Sequence, residues 1–348
     1  MFGLISTALE SNIRPLKKPY KLNFSITYMC QSRCLTCNIW QIRPKGELSI
    51  DEIRQFAIRN NDFKWIELTG GEPFLRSDIV DIAAAFKDNS KSLYMLTFPT
   101  NSLCDPKLLQ RRIGEILSLK IPRVVVTVSL DGYRELHDKI RGIPGNFDRA
   151  MQTYKNLMEF KLTNKNLSFV FGYTISKFNQ GQLEQTFNEV KKEIPSICAN
   201  DFHINLAQTS ENYYKNENDS IKADPKEAIK DIQWLLNHRK FQPSAIQMVE
   251  SAFLKGLLTY AKTGVSPMRS RSLEASMFMD SFGNIYPSIM WNAKIGNVRE
   301  IGYDISKVWD NEEAMRIRRE VREGKEPKCW TSCEAYQTIT GNIFSMIK

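Results

Sequence analysis

Three cysteines near the start of this 348-residue chain constrain its fold and chemistry more than any other feature. Cys30, Cys34 and Cys37 form a Cys-x3-Cys-x2-Cys array directly after residues 22–29, an apolar run that predicts a β-strand. Because the array lies on a loop that leaves a strand, its three thiolates can converge on one metal centre. Three thiolates leave a tetrahedral zinc site one ligand short, but they can hold a four-iron cluster with one iron open. An open iron is a place where a substrate or a cofactor can bind.

Cysteine usage and hydropathy favour a metal-binding protein of the cytoplasm. Seven cysteines, clustered rather than spread, fit metal ligation better than a disulfide framework. No apolar run approaches about 18 residues, so no transmembrane segment is expected. The N-terminal stretch is too short and too soon acidic to form a signal peptide. With 42% hydrophobic residues, the chain can fill one large domain and a small one.

The net charge of +9, from 48 Lys and Arg against 39 Asp and Glu, would suit an acidic partner such as a nucleic acid or a phosphorylated metabolite. The basic residues are scattered, however, as in the pairs Lys17 and Lys18 or Lys191 and Lys192. This pattern favours solvated helix faces, and no nucleic-acid motif is visible. The charge therefore identifies no partner.

The first two thirds of the chain alternate β-like with helix-like segments, which is typical of the α/β class. The predicted strands are residues 22–29, 65–69, 93–98, 123–130, 167–175 and 201–207. Strands separated by helices in this way favour parallel pairing with right-handed crossovers. Six units are too few to close an eight-stranded barrel, so we predict a partial (β/α)6 TIM-like barrel. Its chemistry is expected beyond the C-terminal ends of the strands, which is where the cysteine array begins.

Changes in pattern divide the chain into four predicted parts. Residues 1–20 form a polar lead, 21–209 the partial barrel, 210–263 a helical connector, and 264–348 a small α+β unit. Within the last unit, a hairpin is predicted at residues 276–289, followed by a charged helix at 311–323.

A second motif, Gly-Gly-Glu-Pro at Gly70, Gly71, Glu72 and Pro73, ends the second predicted strand. Two glycines let the backbone approach a ligand closely, and the neighbouring carboxylate can accept hydrogen bonds from an ammonium group. An ordinary strand-to-helix turn would explain the same residues. The motif gains weight from the cysteine array that precedes it.

Together the two motifs resemble the radical S-adenosylmethionine (SAM) superfamily, over residues 22–208 by motif order. The resemblance implies a 4Fe–4S cluster held by Cys30, Cys34 and Cys37, with the amine and carboxylate of SAM on the fourth iron. It also implies that the glutamate and the glycine backbone of the Gly-Gly-Glu-Pro motif meet the SAM amino group.

Six further polar residues, most of them at other predicted strand ends, match weaker marks of the family: Thr100, Asn101, Ser129, Asp131, Arg141 and Thr174. The resemblance implies contacts from Ser129 and Asp131 to the SAM ribose or carboxylate, and a pairing of Arg141 with the carboxylate. Loop-capping roles would account for such residues equally simply, because they favour turns in any protein.

One position departs from the family pattern. The residue before the third cysteine is usually aromatic and lies near the adenine, but here it is Thr36. Trp40 or Tyr28 could supply that contact instead.

The C-terminal unit resembles a SPASM or shorter twitch domain, through residues 278–287 and the Cys329-x3-Cys333 pair. The resemblance implies an auxiliary iron–sulfur cluster, but Ser270 and Ser288 stand where relatives have cysteine. Two thiolates are half of what an ordinary cluster needs. Natural loss of the cluster, unusual serine ligation and an engineered Cys-to-Ser change all remain open. Thiolates suit such clusters far better than alkoxides, so serine ligation is the least favoured.

These features lead to a functional hypothesis. The resemblance implies an enzyme that cleaves SAM reductively to a 5′-deoxyadenosyl radical, which abstracts hydrogen from a small-molecule or peptide substrate. Such an enzyme needs a reducing partner such as a flavodoxin or ferredoxin. The alternative is a non-catalytic metal- or SAM-binding scaffold protein.

Overall fold

Nine strands form one continuous sheet within residues 2–343, the part of the chain that the computed structural model describes. In chain order the strands are Lys21–Thr27 (β1), Trp65–Gly70 (β2), Met95–Thr100 (β3), Arg123–Ser129 (β4), Leu167–Ile175 (β5), Phe202–Leu206 (β6), Ser276–Met279 (β7), Asn284–Tyr286 (β8) and Gly296–Asn297 (β9). Their order across the sheet is β6-β5-β4-β3-β2-β1-β7-β8-β9.

Helices alternate with most of the strands along the chain. They are Phe2–Ile13 (α1), Ile50–Arg59 (α2), Ile79–Asn89 (α3), Pro106–Ser118 (α4), Arg134–Arg141 (α5), Asn146–Thr163 (α6), Leu183–Glu193 (α7), Pro225–His238 (α8), Ala245–Thr263 (α9), Ser306–Trp309 (α10), Glu312–Arg322 (α11) and Ser332–Thr340 (α12). No helix of the described residues is long and apolar enough to span a bilayer.

The predicted partial barrel is confirmed. Strands β1 to β6 pair in parallel and in chain order, and each predicted strand lies within two residues of the observed one. Helix α2 begins after Ser49 with a capping box, since the Ser49 hydroxyl accepts from the backbone N–H of Glu52 and the Glu52 carboxylate accepts from that of Ser49.

The two faces of strand β1 carry different side chains, apolar on one and polar on the other. Leu22, Phe24 and Ile26 are fully buried in the hydrophobic core, where the Phe24 ring meets the ring of Phe86 on α3 edge to face at 6.4 Å. The alternate residues of β1 are polar and also buried, because side chains of a strand point to opposite faces. They face the inside of the half barrel, where Asn23 lines a cavity.

The C-terminal unit continues the same sheet. Strand β7 pairs in parallel with the free edge of β1, and the predicted hairpin is confirmed by antiparallel pairing of β7 with β8. The fully buried ammonium of Lys21 donates to the Cys333 carbonyl at 2.7 Å and to Gln337 Oε1 at 3.0 Å. The division into units at residues 209 and 263 stays a prediction, since pairing runs across it.

Four helices were not predicted, namely α1, α5, α10 and α12. Helix α1 lies in the supposed polar lead, and its Ala8 is buried with Tyr20 and Ala275. Helix α12 begins inside the Cys329–Cys333 motif, whose residues we interpreted as metal ligands rather than as the start of a helix.

Candidate active site

A cavity of about 250 Å³ lies at the C-terminal ends of β1 to β6. Of the residues predicted to hold the cluster and SAM, all except Pro73 line it: Cys30, Cys34, Cys37, Gly70, Gly71, Glu72, Thr100, Asn101, Ser129, Asp131, Arg141 and Thr174. Pro73 is buried beside the cavity at the start of a short 3-10 turn, Pro73–Leu75. The fold thus gathers residues that lie up to 144 positions apart in the sequence.

The cysteine loop is fixed by backbone bonds to the end of α5. The N–H of Arg33 donates to the carbonyl of Arg141, and that of Leu35 to the carbonyl of Ile140, both at 2.9 Å. The Arg141 guanidinium also points at Cys34 Sγ, at 3.6 Å. A thiol loop without secondary structure of its own therefore has a defined backbone.

The three thiols are half-buried and free. The Asn101 amide points at Cys30 Sγ at 3.7 Å, and burial, with the neighbouring Cys34, raises the pKa of Cys30 to about 12. Metal binding would therefore release a proton from this thiol.

In residues 2–343, no three His, Cys, Asp or Glu side chains are grouped to hold a single ion. A 4Fe–4S cluster places each thiolate on a different iron, so its ligands stand further apart than those of one ion. An array of three cavity-facing thiols suits the donor chemistry of such a cluster.

The two glycines make room for the cysteine loop. A Cβ on Gly71 would lie 2.2 Å from the Met29 carbonyl oxygen, and one on Gly70, whose φ is +139°, 2.0 Å from that of Thr27. The same backbones are bonded, because the Gly71 N–H donates to the Thr27 carbonyl at 2.8 Å. We expected the two glycines to let the backbone approach a ligand closely. In the structure they also let it approach the loop that carries Cys30.

Glu72 is fully buried, and its carboxylate is held by three donors. These are the backbone N–H of Asn101 at 2.7 Å, the Thr100 hydroxyl at 3.1 Å and the Phe74 N–H at 3.2 Å. Burial raises the pKa of Glu72 to about 7, and the three donors oppose that shift. The carboxyl group is therefore poised between its two protonation states near neutral pH.

Asp131 and Arg141 form a buried ion pair, with Asp131 Oδ2 2.7 Å from Arg141 Nε. The other oxygen of Asp131 accepts from the backbone N–H of Thr174 at 3.0 Å. The neighbouring His137 is neutral, because burial, with the charge of Arg141, lowers its pKa to about 3. Arg141 and Asp131 thus present one charge of each sign on the cavity wall.

Sequence reasoning missed two tyrosines of the supposed connector. The Tyr213 hydroxyl lies 3.0 Å from both the Gly70 carbonyl oxygen and the Thr69 hydroxyl, and the Tyr214 carbonyl accepts from the Asn38 N–H at 2.9 Å. Both tyrosines line the cavity. No signal in the polar stretch around them predicts this contact, which joins residues more than a hundred positions apart.

The residues considered for an adenine contact separate in the structure. Thr36 and Trp40 line the cavity, whereas Tyr28 is buried outside it, with its ring 5.8 Å from that of Phe282. Of the two aromatic candidates, only Trp40 is in a position to meet a bound molecule there.

Cys329 and Cys333 face different cavities. Cys329 shares a space of about 20 Å³ with Ser270 and Ser288, the two serines singled out in the sequence. Cys333 instead lines the large cavity, where its thiol points at Glu67 Oε1 at 3.6 Å. The structure therefore brings Ser270, Ser288 and Cys329 together and leaves Cys333 apart.

A parallel half barrel with three cysteines after its first strand is the architecture of an iron–sulfur radical enzyme. Residues 24–190 match the family model of the Radical SAM superfamily, so the chain carries a domain of that enzyme superfamily. This match supports SAM and a 4Fe–4S cluster as cofactors.

Relatives with enzyme names support the assignment. The chain is 26% identical over 341 residues to the AdoMet-dependent heme synthase of Methanosarcina barkeri, covering 93% of this chain and 90% of that protein. It is 28% identical to the Fe-coproporphyrin III synthase of the same organism over 57% of this chain and 48% of that protein. It is 34% identical to the GTP 3′,8-cyclase of Cronobacter sakazakii over 38% and 43%. The last two matches span about half of those proteins or less.

Solved structures share the fold. Streptococcus suis SuiB bound to S-adenosylmethionine gives a TM-score of 0.60 at 18% identity, over 90% of this chain and 70% of SuiB. The structure of anSMEcpe with bound AdoMet and the Kp18Cys peptide gives 0.61 at 15% identity, over 94% and 98%.

Proposed function

We propose that this chain cleaves SAM reductively and uses the resulting radical on a small-molecule or peptide substrate. The observation that carries the proposal is the single cavity that unites the three cysteines with the Gly-Gly-Glu motif. When bound, the reduced cluster supplies the electron that splits SAM into methionine and a 5′-deoxyadenosyl radical, which abstracts a hydrogen atom.

In this proposal the protein holds and orients its cofactors. Cys30, Cys34 and Cys37 would hold the cluster, and the Glu72 carboxylate, with the adjacent glycine backbone, would accept from the SAM amino group. The ion pair of Asp131 and Arg141 lines the same cavity and would meet the ribose or carboxylate there.

Further polar groups complete the proposed cofactor wall: Thr100, Asn101, Ser129 and Thr174. Tyr213 and Tyr214, in the loop after β6, line the same cavity and would help to exclude water from the radical.

Electron supply and location are also proposed. A flavodoxin or ferredoxin would deliver the electron, and the exposed basic residues Arg33 and Arg43 on and after the cysteine loop would suit such an acidic carrier. Seven free cysteines fit the reducing cytoplasm.

The test is formation of 5′-deoxyadenosine by the full chain after anaerobic reconstitution with iron and sulfide and addition of dithionite and SAM. We expect product from the unaltered chain and from Cys198→Ala, whose thiol lies outside the cavity, and none from Cys30→Ala. SAM binding without product in the unaltered chain would favour the scaffold alternative.

A further inference from the structure

The deep end of the cavity is built from hydrogen-bond acceptors. Asn23 on β1 and Glu67 on β2 are paired in register, and both line the cavity. Glu67 precedes Gly70 by three residues, which places it about 10 Å below the Gly-Gly-Glu motif. Thr331 and Cys333, at the start of α12, complete this region, which we name the acceptor floor.

Two oxygens of the acceptor floor have no hydrogen-bond partner among residues 2–343. One is Oδ1 of Asn23, which is only 1% exposed and whose amide nitrogen donates to the Cys333 carbonyl at 3.4 Å. The other is the hydroxyl oxygen of Thr331, which is 5% exposed. Buried acceptors that stay unpaired destabilise a protein, so a ligand that donates to them is stabilised.

Among the carboxylates of the described cavity lining, Glu67 is the one without an ion pair or a strong hydrogen-bond donor. Asp131 is paired with Arg141, and Glu72 already accepts three bonds. For Glu67, the described residues provide only the weak thiol donor of Cys333 at 3.6 Å and no ion pair. The nearby Lys21 is committed elsewhere, to the Cys333 carbonyl and Gln337.

We propose that the acceptor floor binds a cationic nitrogen of the substrate, an ammonium group; this rests on the proposed function and names its substrate class. An ammonium offers three donors and no acceptor, which matches the Glu67 carboxylate, Asn23 Oδ1 and Thr331 Oγ1. The charge of Glu67 is balanced by the ligand instead of by a side chain.

The same electrostatics disfavour polyanions. Among the described lining residues, Arg141 is the one basic side chain, and Asp131 holds it. A polyanionic ligand would meet the Glu67 carboxylate without an unpaired cation in the described cavity lining to offset the repulsion. The acceptor floor therefore favours a cationic over a polyanionic ligand.

The ammonium could belong to a small amine or to a lysine side chain of a peptide. The probes are pentylammonium, with neutral 1-pentanol and anionic pentanoate as matched compounds, and the peptide acetyl-Gly-Lys-Gly-amide. Binding to the reconstituted, SAM-loaded chain is measured by ligand-observed NMR titration without reductant.

We expect pentylammonium to bind more tightly than pentanol, and pentanoate not to bind. Glu67→Gln, which removes only the charge, should weaken ammonium binding about tenfold, and Thr331→Val about threefold. Glu184→Gln on the exposed face of α7 should bind like the unaltered chain. Binding of the lysine peptide in the same Glu67-dependent way would assign a peptide source, and binding of pentylammonium alone a small amine.

Pentanoate binding as tightly as pentylammonium, no ammonium binding, or equal binding by Glu67→Gln would each overturn the inference. Because the titration needs no radical, a chain that makes no 5′-deoxyadenosine can still bind ammonium. Conversely, if the chain makes 5′-deoxyadenosine but does not bind ammonium, the inference is refuted and the proposed function stands.

Discussion

At the residue scale, Glu72 is a buried carboxylate with a proposed role in binding the SAM amino group. Its carboxylate is held by Thr100, by the Asn101 backbone and by Phe74, so its position is set before any ligand arrives. A preorganised acceptor loses little entropy on binding.

Glu72→Gln should lower SAM affinity about tenfold or more, because the substitution removes the charge and turns an amide group toward existing donors. In the unaltered chain, SAM affinity should rise as pH increases through about 7, since the carboxylate that accepts from the SAM amine ionises there. Equilibrium SAM binding between pH 6 and about pH 8.5 checks both points. The exposed Glu159→Gln on α6 serves as control. Equal affinity and equal pH dependence in Glu72→Gln would contradict the assigned role.

At the scale of elements, the end of β2 and the cysteine loop form one unit. Gly71→Ala places a methyl group 2.2 Å from the Met29 carbonyl oxygen, next to Cys30. The loop must move, so we expect reduced iron incorporation and a loss of about 1–3 kcal/mol in the free energy of unfolding. Iron content and urea unfolding measure the two effects.

The matched control is Gly114→Ala in the interior of α4, where the new methyl would lie 3.7 Å from the Phe160 ring. It should keep full iron content and gain about 0.5–1 kcal/mol. Normal iron content in Gly71→Ala would show that the loop adapts without cost.

The elements were the most predictable part of the molecule. Each strand carries β-branched or aromatic residues and each crossover a helical period, so strand order followed from chain order. The site was predictable where ligands are adjacent in sequence, as in Cys30 to Cys37. The position of Tyr213 was not predictable, because this residue contacts Gly70 from a loop whose sequence has no helical or strand periodicity. Asn23 and Glu67 carried a usable signal, since polar residues alternate with buried apolar ones along β1 and β2.

At the scale of the whole molecule, the C-terminal unit places one thiol, Cys329, with Ser270 and Ser288. One thiol and two hydroxyls do not supply the thiolate set of a second cluster. We therefore expect about four irons per chain after anaerobic reconstitution, measured by iron and sulfide analysis with protein quantified by amino-acid analysis. Cys329→Ala should keep that content and Cys34→Ala should lose it. About eight irons per chain would instead show that an auxiliary cluster is present.

The position of β1 in the middle of the sheet also has a consequence for the order of folding. One edge of β1 pairs with β2, soon after it in sequence, but the other pairs with β7, about 250 residues later. At translation rates of 5–20 residues per second, β1 waits roughly 10–50 s with an open edge while the half barrel forms behind it. An open edge recruits other strands, so the yield of native protein should depend on how quickly synthesis delivers the last quarter of the chain.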